Sequence, residues 1–239
     1  MDRKRVKRVS GSVLKRHRAV LFDLFHTLTS VESAKAPGRG TSEILGVSRA
    51  SWNDQLLIYS RGRLSGKLKD PFKIIERMAR AINPEITDEV IKEAIENRIA
   101  RFKYSLHNID GKTIDTLKQL KSCGKMLGLI SNADVTEKYG WDDSPIKQYF
   151  DCVIFSCDVG YVKPDKEIYE LCLKKLGVLP GESMFVGDGG SNELEGAKTL
   201  GITTILTTHV VKHLWLEKVE AARKFADFVI DELSELLDI

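Results

Sequence analysis

Short apolar runs rich in β-branched and aromatic residues alternate along most of the chain with segments whose apolar residues return every three or four positions. Residues 19–24, 126–131, 152–155, 184–187, 202–206 and 228–230 read as strands. Between them, Ile114, Leu117 and Leu120 make a helical stripe that ends at Gly124. Pro164 opens another, with Ile168, Leu171 and Cys172 on one face and Gly177 at its end. A third stretch, 192–200, stops at Gly201. Strand–helix alternation of this kind predicts an α/β fold, a parallel sheet with helices on both faces.

Residues 33–107 break the alternation and carry helical patterns only, at 52–59, 71–82 and 87–102. The clearest stripe is Phe72, Ile75, Met78, Ala79 and Ile82. The segment opens on Ala36-Pro37-Gly38-Arg39-Gly40, which suits a hinge. An all-helical insert directly after the first strand would lie as a lid over the strand ends. The expected division is a tail, 1–18, a core, 19–32 with 108–239, and a helical cap, 33–107.

Charge changes the picture at one end only. The net charge of +3 comes from the first 18 residues, where Arg3, Lys4, Arg5, Lys7, Arg8, Lys15, Arg16 and Arg18 face the single acid Asp2. The rest carries 29 bases against 33 acids, so it offers no broad footprint for a phosphate backbone, and nucleic acid is not the expected partner. The tail reads as a solvated, frayed terminus. No apolar run approaches the length of a membrane span, and none follows the basic start as a secretory signal would. The cytosol is therefore the expected location. Cys123, Cys152, Cys157 and Cys172 lack the spacing of a metal site and read as buried, reduced thiols.

Ligands of open parallel sheets sit beyond the carboxyl ends of the strands. There the sequence places Asp23 and then Leu24-Phe25-His26-Thr27-Leu28, Ser131-Asn132, Lys163-Pro164, and Gly187-Asp188 followed by Glu193-Leu194-Glu195-Gly196-Ala197. In order and spacing these motifs resemble the haloacid dehalogenase-like (HAD) superfamily. Each alone is weak; four in order, each at a strand end, are specific. The resemblance covers the chain from Ala19 to Ile230 and implies a Rossmann-like sheet with a helical cap inserted after the first motif.

The resemblance also implies roles. Asp23 would be the nucleophile, forming a covalent aspartyl intermediate. Thr27 and Ser131 would hydrogen-bond the transferred group, with Asn132 beside them, and Lys163 would neutralise developing charge. Mg²⁺ would be held by Asp23, the backbone carbonyl of Phe25 and Asp188. Glu193, where the family usually has Asp, would join this metal set, orienting Lys163 or a metal-bound water. The implied substrate is a small phosphorylated metabolite.

Phe25 departs from this pattern. Phosphatases of the family carry a second Asp there as general acid, worth typically about 10²–10⁴-fold. Family members that are dehalogenases carry an aromatic residue, because a departing halide needs no proton. Against dehalogenation stand Asp188 and Gly190, and Asn53 after Trp52 where that subfamily has a halide-binding Arg. Tyr169 matches the subfamily but is common family-wide. The charges of Asp23, Asp188 and Glu193 against Lys163 leave the pocket near −2, unsuited to a haloacid without a metal; Mg²⁺ restores balance. The expected activity is therefore phosphoryl transfer, with a metal-free dehalogenase-like hydrolase, or a binding protein that has lost turnover, as alternatives.

The source of the leaving group's proton stays open. His26 is adjacent but reads as a turn residue facing away. Asp134 reads equally as the N-cap of a helix through Lys138. A leaving group already acidic, or slow turnover, completes the choices. Trp52, Tyr59 and Tyr104 read as packing residues, and Arg39, Arg49, Arg61 and Arg63 as phosphate or carboxylate readers near the lid if they are not merely solvated.

Overall fold

A computed structural model describes residues 12–30, 35–213 and 215–239. The basic residues from Arg3 to Arg8 and the start of the expected insert at Ser33 lie outside the described residues. Six strands, β1 (Ala19–Phe22), β2 (Met126–Ser131), β3 (Cys152–Phe155), β4 (Ser183–Gly187), β5 (Thr203–Thr207) and β6 (Phe228–Ile230), form one sheet. Its order is β3-β2-β1-β4-β5-β6, and every neighbouring pair is parallel. The chain reverses its direction of growth on either side of β1, so the crevice above β1 and β4 is the switch point where such sheets bind ligands.

Both faces of the sheet are covered. Val20, Phe22, Leu129, Met184 and Val186 face one apolar cluster, with Leu117 and Leu120 of the helix Gly111–Ser122. Leu21, Ile130, Ile154 and Phe185 face the other, with Ile168, Cys172 and Leu194 of the helices Lys166–Leu176 and Glu193–Thr199. All four residues of β1 are buried, which is why its sequence is continuously apolar rather than alternating. Cys152 and Cys157 lie in opposite clusters, as expected, but Cys123 is exposed rather than buried.

The segment between β1 and β2 is helical: Thr41–Ile44, Arg49–Ile58, Ser60–Leu64, Pro71–Ile82 and Asp88–His107. These helices share an apolar cluster of their own, centred on Trp52, Ile74, Ile75, Met78, Ile91 and Ala94. Asp70 caps Pro71–Ile82 by accepting from the Phe72 N–H at 2.9 Å, with Pro at the first helical position. The last helix runs through His107, beyond the expected end at 102, because Phe102, Ser105 and Leu106 remain on its buried face.

The reading of residues 12–18 as frayed is corrected. Ser12–Arg16 is helical, Leu14 packs in the core, and its N–H donates to the Ile239 carbonyl at 2.9 Å. His17 is buried and joins the Val13 carbonyl and the Thr203 hydroxyl, while Lys125 donates to the carbonyls of Leu14 and His17. Lys15, Arg16 and Arg18 remain exposed.

One turn brings the helical segment against the sheet. Gly66, at φ +68°, lies so near the Cys157 carbonyl that a Cβ would stand 2.0 Å from the oxygen. A side chain would meet both the left-handed backbone and this contact. Gly66→Ala is expected to destabilise the protein by about 2–4 kcal/mol, measured by urea unfolding; a loss below about 0.5 kcal/mol would show that the turn moves away freely.

Candidate active site

Asp23 follows β1 directly, its N–H donating to the Val186 carbonyl at 2.9 Å, so the sheet itself aims its side chain. The next residues turn tightly, with Leu28 and Thr29 donating back to the Leu24 carbonyl, and this brings Thr27 underneath. The Thr27 hydroxyl donates to Asp23 Oδ2 at 2.9 Å. From beyond β3, Lys163 Nζ donates to Asp23 Oδ1 and to Glu193 Oε2, each at 2.5 Å. Asn132, just after β2, brackets the Lys163 backbone: it accepts the Lys163 N–H at 2.8 Å and donates to the Lys163 carbonyl at 3.1 Å. Glu193 is placed in turn by Tyr169, whose hydroxyl donates to its carbonyl at 2.8 Å, and by the Gly189 N–H, which donates to Oε1 at 3.2 Å. Gly187 leaves that carboxylate room, since a Cβ there would stand 2.1 Å from Glu193 Oε1.

The expected site residues thus converge. Asp23, Asp188 and Glu193 each offer an oxygen within 4.8 Å of the others. Asp188 Oδ1 accepts the Gly190 N–H at 2.9 Å, and Oδ2 faces His26 Nδ1 at 3.7 Å. The Ser131 hydroxyl, fully buried at the end of β2, has no hydrogen-bond partner among the described residues. Phe25 packs edge-on against Phe102 of the helical segment, ring centres 5.3 Å apart. A cavity of about 610 Å³ opens over these groups, with Asp23, Phe25, His26, Lys163 and Asp188 in its wall.

Charge inside is unbalanced. Burial, with Asp188 nearby, pushes the Asp23 carboxyl above its ordinary range although Lys163 pulls it down. Burial and then the Asp23 charge push Glu193 well above its own. Burial opposes the Lys163 charge, but Asp23 and Glu193 outweigh it and hold the ammonium firmly protonated. Burial likewise opposes the Asp188 charge, but the His26 contact and the Gly190 N–H leave its pKa lowered.

Two expectations are corrected. His26, at φ +65°, does not face away; it lines the cavity beside Asp188, its ring 5.0 Å from that of Trp215. Asp134 caps a turn and not a helix: its Oδ1 accepts the Thr136 and Glu137 N–H groups at 2.8 and 3.2 Å, but residues 135–137 form only a turn and 138 a bend. It is fully buried and accepts from Arg63 Nη1 at 2.7 Å, while Glu137 accepts from Arg63 at 2.9 Å and from Arg98 Nη2 at 2.5 Å. Thr136 adds its N–H and hydroxyl to Asp134 and accepts from Arg98 Nε. Arg63 and Arg98 belong to the helical segment, Asp134 and Glu137 to the loop after β2, so the cluster ties the two together. Sequence reasoning passed over Arg98, Glu137 and Trp215; Arg98, a charge on the buried face of a helix, was the one available signal.

Of the other residues singled out, Trp52 packs in the helical cluster and Tyr59 lies under the Arg77 guanidinium, both as packing residues. Tyr104 is exposed. Arg39 pairs with Glu93, and Arg61 pairs with Asp165 through two hydrogen bonds of 3.0 and 2.9 Å. No helix among the described residues is long and apolar enough to cross a membrane.

A parallel sheet whose first strand ends in a buried carboxylate, clamped by a lysine and flanked by acids from beyond the fourth strand, defines an α/β protein with an aspartate-centred site. The family model for haloacid dehalogenase-like hydrolases matches residues 17–201, and the chain belongs to that family. Glyceraldehyde 3-phosphate phosphatase from Methanothermobacter thermautotrophicus is 34% identical over 141 residues, 57% of this chain and 61% of that one. Pyrophosphatase PpaX from Bacillus mycoides is 31% identical over 127 residues, 52% of this chain and 56% of that one. The chain therefore spans less than two thirds of the length of these relatives. The crystal structure of a dehalogenase shares the fold at a TM-score of 0.64 and 23% identity, over 92% of this chain and 95% of that one.

The Asp134 cluster generates a prediction. Burial opposes its charge, but Arg98 and Arg63 lower its pKa below the ordinary carboxylate range. A lowered folded pKa gives stability that is present above the unfolded value and lost as pH falls through the folded one. Asp134→Asn, which leaves two buried guanidiniums short of a partner, is expected to cost about 3–5 kcal/mol at pH 7. The deficit should shrink as pH falls below 4 in urea titrations; a pH-independent deficit would remove the ionised carboxylate from the explanation.

Proposed function

We propose that this hydrolase is a Mg²⁺-dependent phosphatase acting on a small phosphorylated metabolite through an aspartyl-phosphate on Asp23. The observation that carries the reading is the charge of the buried site: three carboxylates, Asp23, Asp188 and Glu193, around the single ammonium of Lys163. A divalent cation relieves that excess, and an all-oxygen donor set suits Mg²⁺. Asp23, Asp188 and the Phe25 carbonyl would hold it, and when bound it would polarise the phosphoryl group and offset its charge. Glu193 was expected in the same set. Its oxygens already accept from Lys163 and from the Gly189 N–H, which favours the role of orienting the lysine.

The chain's own residues account for the remaining chemistry. An Asp23 oxygen attacks phosphorus, the bond to the leaving oxygen breaks, and water later cleaves the acyl phosphate to release phosphate and restore the carboxylate. Lys163 favours the ionised nucleophile and balances the transferred charge. Thr27 holds the second Asp23 oxygen. The unpartnered Ser131 hydroxyl supplies a donor for a phosphoryl oxygen, and Asn132 holds the Lys163 backbone in register. Asp134, locked between arginines, is withdrawn as a proton donor; His26, an acidic leaving group and slow turnover remain. Phe25 favours a second reading, metal-free dehalogenation, and the half-buried Asp188 beside Asp23 weighs against it.

We read residues 33–107 as a cap over this site, 19–32 with 108–239 as the catalytic core, and 1–18 as an N-terminal segment whose end docks on the core. The cytosol is the compartment we propose, in keeping with four unbridged thiols.

Phosphate release from a panel of phosphorylated metabolites, with Mg²⁺ and with EDTA, tests the reading. Wild-type protein should need Mg²⁺, and Asp23→Asn should lose essentially all turnover; halide release from haloacids in EDTA would overturn it. Phe25→Asp should raise phosphatase kcat by about 10²-fold if the missing acid limits the site, and no change would mean that the proton comes from elsewhere.

A further inference from the structure

The helices Arg49–Ile58 and Ser60–Leu64 bring Leu56, Leu57 and Leu64 to the cavity over Asp23, with Asn53, Ser60 and Arg63 among them. Two of those three polar side chains are already engaged. The Ser60 hydroxyl donates to the Leu57 carbonyl at 2.7 Å, and Arg63 is held by Asp134 and Glu137. Beyond the acids and Lys163, the core adds Phe25, Val211 and Trp215, the Trp215 ring lying 5.0 Å from that of His26. Asn132 is spent on the Lys163 backbone, and Ser191 lies on the loop after β4. Leu57 is 73% exposed at the last turn of its helix, an apolar side chain in the cavity wall that a ligand would take out of water. A second cavity, about 700 Å³, continues the space: His26, Asn53, Leu56 and Trp215 stand in the walls of both, and Arg49 in the wall of the second.

We propose that the substrate is an aryl phosphate, its phosphoryl group at Asp23 and its ring against Leu56, Leu57 and Trp215. The inference rests on the phosphatase reading and names the substrate class for it. Two independent observations meet here. The first is the wall itself, whose leucines and rings match a hydrocarbon leaving group and offer a hydroxylated one few partners. The second is the want of a proton donor. Among the described residues that wall holds no carboxyl besides Asp23, Asp188 and Glu193, which serve as nucleophile, beside it, and on Lys163; Phe25 puts a hydrocarbon ring next to the nucleophile, and Asp134 is locked between arginines. His26 is turned to Asp188. An alkoxide leaves such a site slowly, whereas a phenol ionises at a pH of about 10 and its anion departs unaided. As an Asp23 oxygen bonds to phosphorus, the bond from phosphorus to the aryl oxygen breaks. The electron pair stays on that oxygen, which takes its proton from water. A second water then cleaves the acyl phosphate.

Phenyl phosphate, cyclohexyl phosphate and glycerol 3-phosphate separate the two parts of the inference. The two rings match in size and differ in the acidity of the departing oxygen; cyclohexyl phosphate and glycerol 3-phosphate are both esters of ordinary alcohols and differ in polarity. With Mg²⁺, wild type should turn over phenyl phosphate with a kcat about 10²-fold or more above that for cyclohexyl phosphate, the worth of an absent acid. As inhibitors of that turnover, cyclohexyl phosphate should bind about tenfold more tightly than glycerol 3-phosphate. Leu57→Ser should cut this second ratio by about threefold or more, and Leu57→Met should keep it. Equal kcat for the two rings, or a His26→Gln variant that loses cyclohexyl turnover alone, would show that a proton donor serves the site and would overturn the proposal. So would glycerol 3-phosphate bound as tightly as cyclohexyl phosphate, or a ratio unmoved by Leu57→Ser. If none of the esters is hydrolysed, phenylphosphonate and methylphosphonate are compared by Tm shift with Mg²⁺. A larger shift from phenylphosphonate that Leu57→Ser reduces would then support recognition of the ring while the phosphatase reading fails; equal shifts would sink both.

Discussion

The ammonium of Lys163, sealed between Asp23 and Glu193, is the contact on which the rest of the site depends. A buried charge is tolerated only when paired and hydrogen-bonded, and removing one partner leaves the other stranded. Here the three groups come from beyond three different strands, so the pairing holds only if β1, β3 and β4 keep their order and register. The surrounding details follow from that demand. Gly187 has no side chain because the Glu193 carboxylate fills the space where one would go. Asn132 grips the Lys163 backbone from both sides, and Tyr169 reaches across to anchor the Glu193 carbonyl. Even so one cation faces three acids, and burial, reinforced by the neighbouring carboxylates, displaces Asp23 and Glu193 upward.

Much of this was legible in the chain because the relevant forces act locally. Doubly buried strands must be continuously apolar, so a carboxylate at position 23, directly after such a run, stood out at once. The polar residues at the ends of β2 and β4 stood out in the same way. What escaped was whatever depends on partners far apart in sequence. Asp134 meets Arg63 across 71 positions, and Glu137 meets Arg98 across 39. Locally Asp134 looks like a helix cap, and its Oδ1 does accept the Thr136 and Glu137 N–H groups; only the folded chain shows its other oxygen taken by Arg63. His26 was misread for a related reason. Its left-handed backbone reverses the direction that a neighbour of Asp23 would ordinarily take, bringing the ring to Asp188. The tail was misread because charge density alone says nothing of Leu14 and His17, which tie its end to the core.

The helical segment and the sheet are joined by contacts of unlike chemistry. Phe25 and Phe102 meet edge to face at the cavity, Gly66 presses on the Cys157 carbonyl, and Arg61 bridges to Asp165 at the surface. The buried arginine–carboxylate cluster lies among them. Such a cluster adds little net stability over an apolar one, but it punishes misalignment, since any shift strands a charge. It therefore acts as a registration device, holding the residues of the helical segment at defined positions over Asp23.

Registration matters because the two cavities are walled from both sides. Asn53, Leu56 and Arg49 come from the helical segment, while Asp23, Lys163 and Asp188 come from the ends of the strands. The strand ends carry the charged cluster, Asp23, Lys163 and Asp188 with Glu193 beside them. The helices carry the facing wall, with Asn53, Leu56 and Arg49. Moving the segment as a rigid body would leave the charge of each wall intact yet change the separation between them. The Arg63 and Arg98 pairs, which join the segment to the loop after β2, fix that separation. A change in those pairs should move the helical wall before it disturbs Lys163, Thr27 and Asn132, whose hydrogen bonds are made among residues that follow the strands.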